Sequence, residues 1–191
     1  MKFIVGIGNP EKQYEKTRHN IGFRVLDRWC AASSGAWREK KKYRSQVCSL
    51  ETAQLFKPET YVNNTGETVS VLRQKKGVLP ADFLVVCDDV NLSFGKLRLR
   101  DSGSAGGHHG LESVIRALDT EHFARLRVGV GGMMMPKGDL TDYVLGLFTA
   151  QEQKELSGVL DKAMSVCQSW VNDGFHGALN CLSRHPSIKE E

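Results

Sequence analysis

Nothing in the 191 residues is apolar for long enough to span a membrane. The first twenty residues also lack the basic, apolar and small-residue segments of a secretory signal, so the expected location is the cytoplasm. No Cys-x-x-Cys occurs. The five cysteines (30, 48, 87, 167 and 181) are odd in number and widely spaced, which suits scattered reduced thiols better than a disulfide framework or a zinc site. Repeats, low-complexity segments and linkers are missing too, leaving one domain over 1–191 with a frayed polar tail after Pro186. There is no Gly-x-Ser-x-Gly elbow and no activated-cysteine signature, so water is the economical nucleophile for any hydrolysis. Gly6-Ile7-Gly8 begins like a dinucleotide fingerprint, but position 11 is Glu and no acidic strand end follows at the right distance. His108 and His109 are adjacent, without His-x-x-x-His spacing or an acidic cluster, so neither a metal nor a cofactor is expected.

What is present is an ordinary globular balance, 40% hydrophobic and 25% charged, with a net charge of +4. The cations are unevenly placed. Arg38 to Arg44 holds five basic residues, and Arg73 to Lys76 holds three. Solvated faces account for these two runs as well as any partner does. In Lys96-Leu97-Arg98-Leu99-Arg100, strand alternation puts all three cations on one face, a geometry suited to phosphates.

Strand patterns fall at 2–7, 44–50, 53–57, 83–87, 96–100 and 126–131. Helix patterns fall at 20–33, 66–77, 109–118, 151–171 and 174–184. Asn20 is a candidate cap for the first helix, whose Ile21, Val25, Leu26 and Trp29 form one stripe. Strands and helices interleave, which predicts a single α/β domain: a twisted, mixed, largely parallel sheet with helices on both faces.

Polar signals follow several strands: Asn9 after the first, the 57–66 segment, Asp88-Asp89 after Phe83–Cys87, and the glycine-rich 103–110 run. If those strands share a direction, the loops meet on one rim. A histidine held by a buried aspartate keeps one tautomer, with its far nitrogen free to take a proton from water. His19 and Asp88 are the candidates, Asp89 pointing the other way if strand alternation persists. The helix start disfavours the His19 imidazolium and the aspartate favours it. Asn9 and Asn63 supply neutral amides for a carbonyl or an oxyanion. Taken singly, each has a duller reading as a cap or turn residue.

Together the motifs resemble bacterial-type peptidyl-tRNA hydrolases. They are Val5-Gly6-Ile7-Gly8-Asn9-Pro10, Tyr14, Thr17-Arg18-His19-Asn20-Ile21-Gly22, Lys57-Pro58-Glu59-Thr60-Tyr61-Val62-Asn63, Asp88-Asp89, Gly106-Gly107-His108-His109-Gly110-Leu111 and the stretch from Arg125 to Gly131. The resemblance runs from the first strand to the C-terminal helices. It implies hydrolysis of the ester joining a peptide to the 3′-terminal ribose of tRNA, with His19 as base, Asp88 stabilising it and Asn9 selecting N-blocked groups. It further implies that Tyr14, Tyr61, Asn63, Gly106 and position 109 meet the substrate end. Arg98, Arg100 and Arg127 would meet the tRNA backbone. The implied partner is peptidyl-tRNA, with no membrane and no obligatory protein partner, and the expected state is a monomer. A non-catalytic RNA-binding relative, akin to organelle splicing factors, is the alternative.

Three departures stand out. His109 replaces a usual asparagine, which predicts retained activity with altered pH dependence, because a neutral imidazole cannot donate and accept as an amide does. Val62 replaces a methionine and Glu11 a glycine. Exposed methionines at 133–135 could line a peptide groove.

Overall fold

The chain is described from a computed structural model covering residues 1–132, 135 and 138–184. The tail after Pro186 and residues 133 and 134 of the methionine run lie outside the described residues. A seven-stranded sheet forms the middle layer, in the order β2-β3-β4-β1-β5-β7-β6. Its strands are β1 (Lys2–Gly6), β2 (Arg38–Lys40), β3 (Ser45–Ser49), β4 (Ala53–Pro58), β5 (Phe83–Ser93), β6 (Leu97–Arg100) and β7 (Ala124–Gly131). The four central strands run parallel, with Val5 opposite both Phe56 and Val85, and Val86 opposite Leu126. Both margins are antiparallel.

Period-2 alternation along these buried strands builds two cores. Ile4, Leu84, Val86 and Leu126 face α1 (Ile21–Ala32) and α5 (Ala150–Ser183). Phe3, Val5, Val85 and Cys87 face α2 (Gly66–Arg73) and α3 (His109–Leu118). Burial on both faces explains why the central strands read as continuous apolar runs. The stripe Ile21, Val25, Leu26 and Trp29 is buried as its spacing predicts. Gly22 lets the first turn of α1 lie directly on the sheet. A Cβ there would come within 2.4 Å of the Val86 carbonyl oxygen. The two predicted C-terminal helices form one run interrupted at Gly174, which sits at φ 73° and ψ −168° where only glycine is at ease.

Four expectations need correction. Asn20 does not cap α1 with its side chain; that amide turns back to the chain at Asn9. α2 ends at Arg73 instead of 77. β5 does not stop at Cys87 but continues to Ser93, because Asp88 and Asp89 still pair with β7. The glycine-rich run does not leave a strand parallel to the others. β6 runs antiparallel, and the chain then climbs back along β7, held by Arg125 and Arg127 bonding to its carbonyls. The sequence reading also missed β2 and the short α4 (Thr141–Val144).

Candidate active site

The parallel centre of the sheet delivers three segments to one rim. Asn9 follows β1, the 3-10 turn Val62–Asn64 follows β4, and Asp88 rises within β5. The glycine-rich loop arrives from the β6 side, and the 3-10 turn Arg18–Asn20 leads into α1. They surround a cavity of 630 Å³ whose walls include Asn9, His19, Asn63, Asp88, His108 and Arg127.

His19 Nδ1 lies 2.8 Å from Asp88 Oδ1, and Asp88 is only 3% exposed. The same oxygen lies 3.1 Å from His108 Nε2. His108 caps α3, its Nδ1 accepting from the backbone N–H of Gly110 and Leu111. That acceptance puts the His108 proton on Nε2, so the ring donates to Asp88. Asp88 Oδ1 thus receives two imidazole N–H groups, and His19 keeps Nε2 as its proton acceptor.

Burial alone would push the Asp88 carboxyl up. The neighbouring charges and hydrogen bonds of His19 and His108 outweigh it and hold the group well below the usual carboxylate range. For His19, burial pulls the imidazole down, while the charge and hydrogen bond of Asp88 leave its pKa above the ordinary 6.5. The influence opposing Asp88 is therefore burial, and not only the helix end invoked from sequence. The ligand atoms of His19, Asp88 and His108 all lie within 4.8 Å of one another, a spacing a metal could use. Ligation through His108 Nε2 would require moving its proton onto the nitrogen that caps α3, so the donor set is built as a hydrogen-bond relay.

Asn9 is fixed from two sides. Its backbone N–H donates to Asn20 Oδ1 at 2.9 Å, and Asn20 Nδ2 donates back to its carbonyl at 2.9 Å. Its own Oδ1 accepts from Val62 N–H at 3.1 Å, which turns Nδ2 toward use as a donor. Just before His19, the buried Arg18 pairs with Glu152 at 2.8 Å, bonds the Leu147 carbonyl and stacks over Tyr143 at 4.5 Å. It ties the histidine turn to the segment closing the cavity beside α4.

The other sequence candidates divide. Asn63, Tyr61, Gly106 and His109 line the cavity. Tyr61 is half exposed and donates its hydroxyl to Glu11. Tyr14 lies outside the cavity wall, in the 3-10 turn Lys12–Tyr14. His109 stands on the rim with its side chain 78% exposed, paired with Glu112 and not in contact with Asp88. Arg98 and Arg100 project from the edge strand β6 into solvent. Arg127 is occupied: it pairs with Asp89 at 3.3 Å and bonds the Ser104 and Ala105 carbonyls, bracing the glycine-rich loop. Asp89 lines the same cavity as Asp88, its carboxylate taken by Arg127 and by the Asn91 backbone N–H. Sequence reasoning missed His108, Arg18 and Asn20. For His108 a signal existed, since it directly precedes the helix pattern 109–118 and so stands at the cap position.

Fold and cleft define an α/β protein with an imidazole–carboxylate relay at the carboxyl rim of the parallel centre of a mixed sheet. Comparison with known proteins narrows this. The family described as peptidyl-tRNA hydrolase matches residues 3–190. The peptidyl-tRNA hydrolase of Methylacidiphilum infernorum is 42% identical over 181 residues, 94% of this chain and 96% of that protein. That of Bacillus cytotoxicus is 41% identical over 186 residues, covering 94% and 98%. The crystal structure of peptidyl-tRNA hydrolase from Acinetobacter baumannii superposes with a TM-score of 0.86 at 28% identity, covering 95% of this chain and 94% of that one. The chain belongs to the peptidyl-tRNA hydrolase family.

Proposed function

We propose that the chain hydrolyses the ester between a peptide, or an N-blocked amino acid, and the 3′ ribose of tRNA, with His19 as the general base. The observation that carries this reading is the 2.8 Å contact of His19 with Asp88, inside a cavity also lined by Asn9 and Asn63. Asp88 holds His19 with Nδ1–H inward and Nε2 outward. Nε2 takes a proton from water as the water attacks the ester carbonyl. Asn9 Nδ2, and the Asn63 amide from the facing turn, donate to the oxygen on which charge develops. The imidazolium then returns its proton to the departing ribose oxygen. An ester needs no covalent intermediate here, because the alkoxide leaves more readily than an amine.

Arg98 and Arg100 bind tRNA phosphates from the open edge of the sheet. Tyr61, Gly106 and His109 meet the 3′ end, and Tyr14 lies beyond them. Arg127 acts by bracing the loop. The enzyme works as a cytoplasmic monomer that recycles tRNA after aborted translation. Among the described residues, no helix is long and apolar enough to cross a membrane. The non-catalytic RNA-binding alternative is not favoured, since the relatives are named as hydrolases and both relay partners are in contact.

The test is release of N-blocked amino acid from charged tRNA. Wild type turns over, while His19→Ala loses about 10²–10⁴-fold in kcat at similar KM. An inactive wild type overturns the hydrolase reading, and an alanine variant of full activity overturns the base assignment.

A further inference from the structure

One pair of buried side chains has no part in this chemistry. Cys30, in the last turn of α1, is 3% exposed, and Cys48, in β3, is fully buried. Both are free thiols, with Sγ atoms 2.9 Å apart, roughly 0.9 Å beyond a disulfide bond of about 2.05 Å. A surface turn lies beside them. Ser33, Ser34 and Ala36 are exposed, Ser34 adopts φ 52°, and Gly35 lies over the sulfurs. A Cβ on Gly35 would sit 2.6 Å from Cys48 Sγ and 3.2 Å from Cys30 Sγ, so a larger residue would collide with the pair. The turn borders an open cleft of 670 Å³ whose lining includes Ser33, Ser34, Gly35, Ser49 and Gln168.

We propose that Cys30 and Cys48 are a redox modification site, closing to an intramolecular disulfide by exchange with a low-molecular-weight disulfide that enters from this cleft. The Cys30 thiolate attacks one sulfur of the reagent, breaking its S–S bond and releasing one thiol. Cys48 then attacks Cys30 Sγ, forming the Cys30–Cys48 bond and releasing the second thiol. The two protein thiols are oxidised, the reagent is reduced, and both protein protons end on the released thiols. Burial, aided by the Cys48 hydrogen bond, pushes the Cys30 thiol up to about 12, so the reaction is slow until the 33–36 turn lifts. The bond ties α1 to β3 across eighteen positions that include β2 and the cationic 38–44 run. Neither His19 nor Asp88 is involved, so hydrolysis persists in the oxidised form.

The test incubates the full chain with oxidised glutathione at mildly alkaline pH, blocks remaining thiols in denaturant and maps the peptides. A Cys30–Cys48 linked peptide should appear, thiols should fall from five by two, and the melting temperature should rise by roughly 5–10 °C, reversibly with dithiothreitol. Cys48→Ser and Cys48→Ala should show neither the link nor the rise. Glutathione on the half-exposed Cys181 with no Cys30–Cys48 link would overturn the proposal. So would a link that forms only in denaturant, or a linked protein that melts no higher.

Discussion

Asp88 takes two imidazole N–H groups on one oxygen, and that sharing sets how the site answers to pH. In the proposed mechanism His19 works as a base only when neutral. Because the His19 pKa lies above 6.5, the acid limb of kcat/KM should fall above 6.5 as well. Asp88→Asn removes the charge that raises it. Initial-rate profiles of that variant should show the limb displaced to lower pH and the rate down by about 10²–10³-fold. His108→Asn separates capping from the relay. The amide still caps α3, so stability should change by less than about 1 kcal/mol in urea unfolding. Asp88 loses one donor, however, and becomes the stronger partner of His19, which moves the acid limb up and costs about tenfold in rate. An unchanged profile would show that His108 only caps. Stability follows the same groups with opposite signs. The raised His19 stabilises the fold fully below 6.5 and ceases to do so as pH rises through its folded value. The lowered Asp88 stabilises it above 3.8, and that contribution is lost as pH falls toward its folded value. His109, from which the sequence reading expects altered pH dependence, is exposed and bound to Glu112, away from the relay. His109→Asn should therefore leave the acid limb in place.

Elements hold these residues through a few close contacts, and here legibility from sequence was uneven. Strands buried on both faces and the α1 stripe announce themselves by periodicity, which is why the sheet centre and the first helix were readable. β2 was not, because Arg38, Glu39 and Lys40 are all exposed and carry no alternation of burial. The β5 extension was hidden because two aspartates look like the end of an apolar strand, although backbone pairing ignores side-chain polarity. Of the site, His19, Asp88 and Asn9 were readable from residue type and position. Arg18 was not, since its partners Glu152 and Tyr143 are far away in sequence. Arg18→Met would leave the Glu152 carboxylate without its cation, held only by the Thr149 N–H of the α5 capping box, and should cost about 2–3 kcal/mol, a fall in melting temperature of roughly 4–12 °C. Turnover should fall with it, because the lost clamp adjoins His19. Gly22→Ala should be worse placed still. The added methyl meets the Val86 carbonyl and the Ile7 backbone, so α1 must lift and carry the His19 turn with it. Activity should then drop well beyond what the remaining folded fraction, followed by circular dichroism, explains.

On the proposed reading, the whole molecule separates chemistry from tRNA binding across the width of the sheet. The relay sits over its parallel centre, where β1 and β5 end or continue buried between two cores. The cations stand at the β6 margin, where an antiparallel strand has one free side and alternation turns Arg98 and Arg100 outward while Leu99 packs inward. Arg127, their neighbour opposite Arg98, is spent on Asp89 and the glycine-rich loop and adds little to that surface. Such a division predicts that the two functions respond to different variables. Phosphate contacts release counterions, at about 0.7–0.9 in the slope of log affinity against log salt for each phosphate neutralised. The Arg98→Ser, Arg100→Ser double variant should therefore raise KM by about tenfold at low salt and flatten its salt dependence by about 1.4–1.8 units of slope. The kcat should stay within about twofold, because neither side chain reaches the cavity. Steady-state kinetics on N-blocked aminoacyl-tRNA over a fourfold range of salt reads both quantities at once. A double variant with wild-type salt dependence would move the tRNA surface elsewhere on the molecule, and one that lost kcat at unchanged KM would show that the margin and the relay are coupled after all.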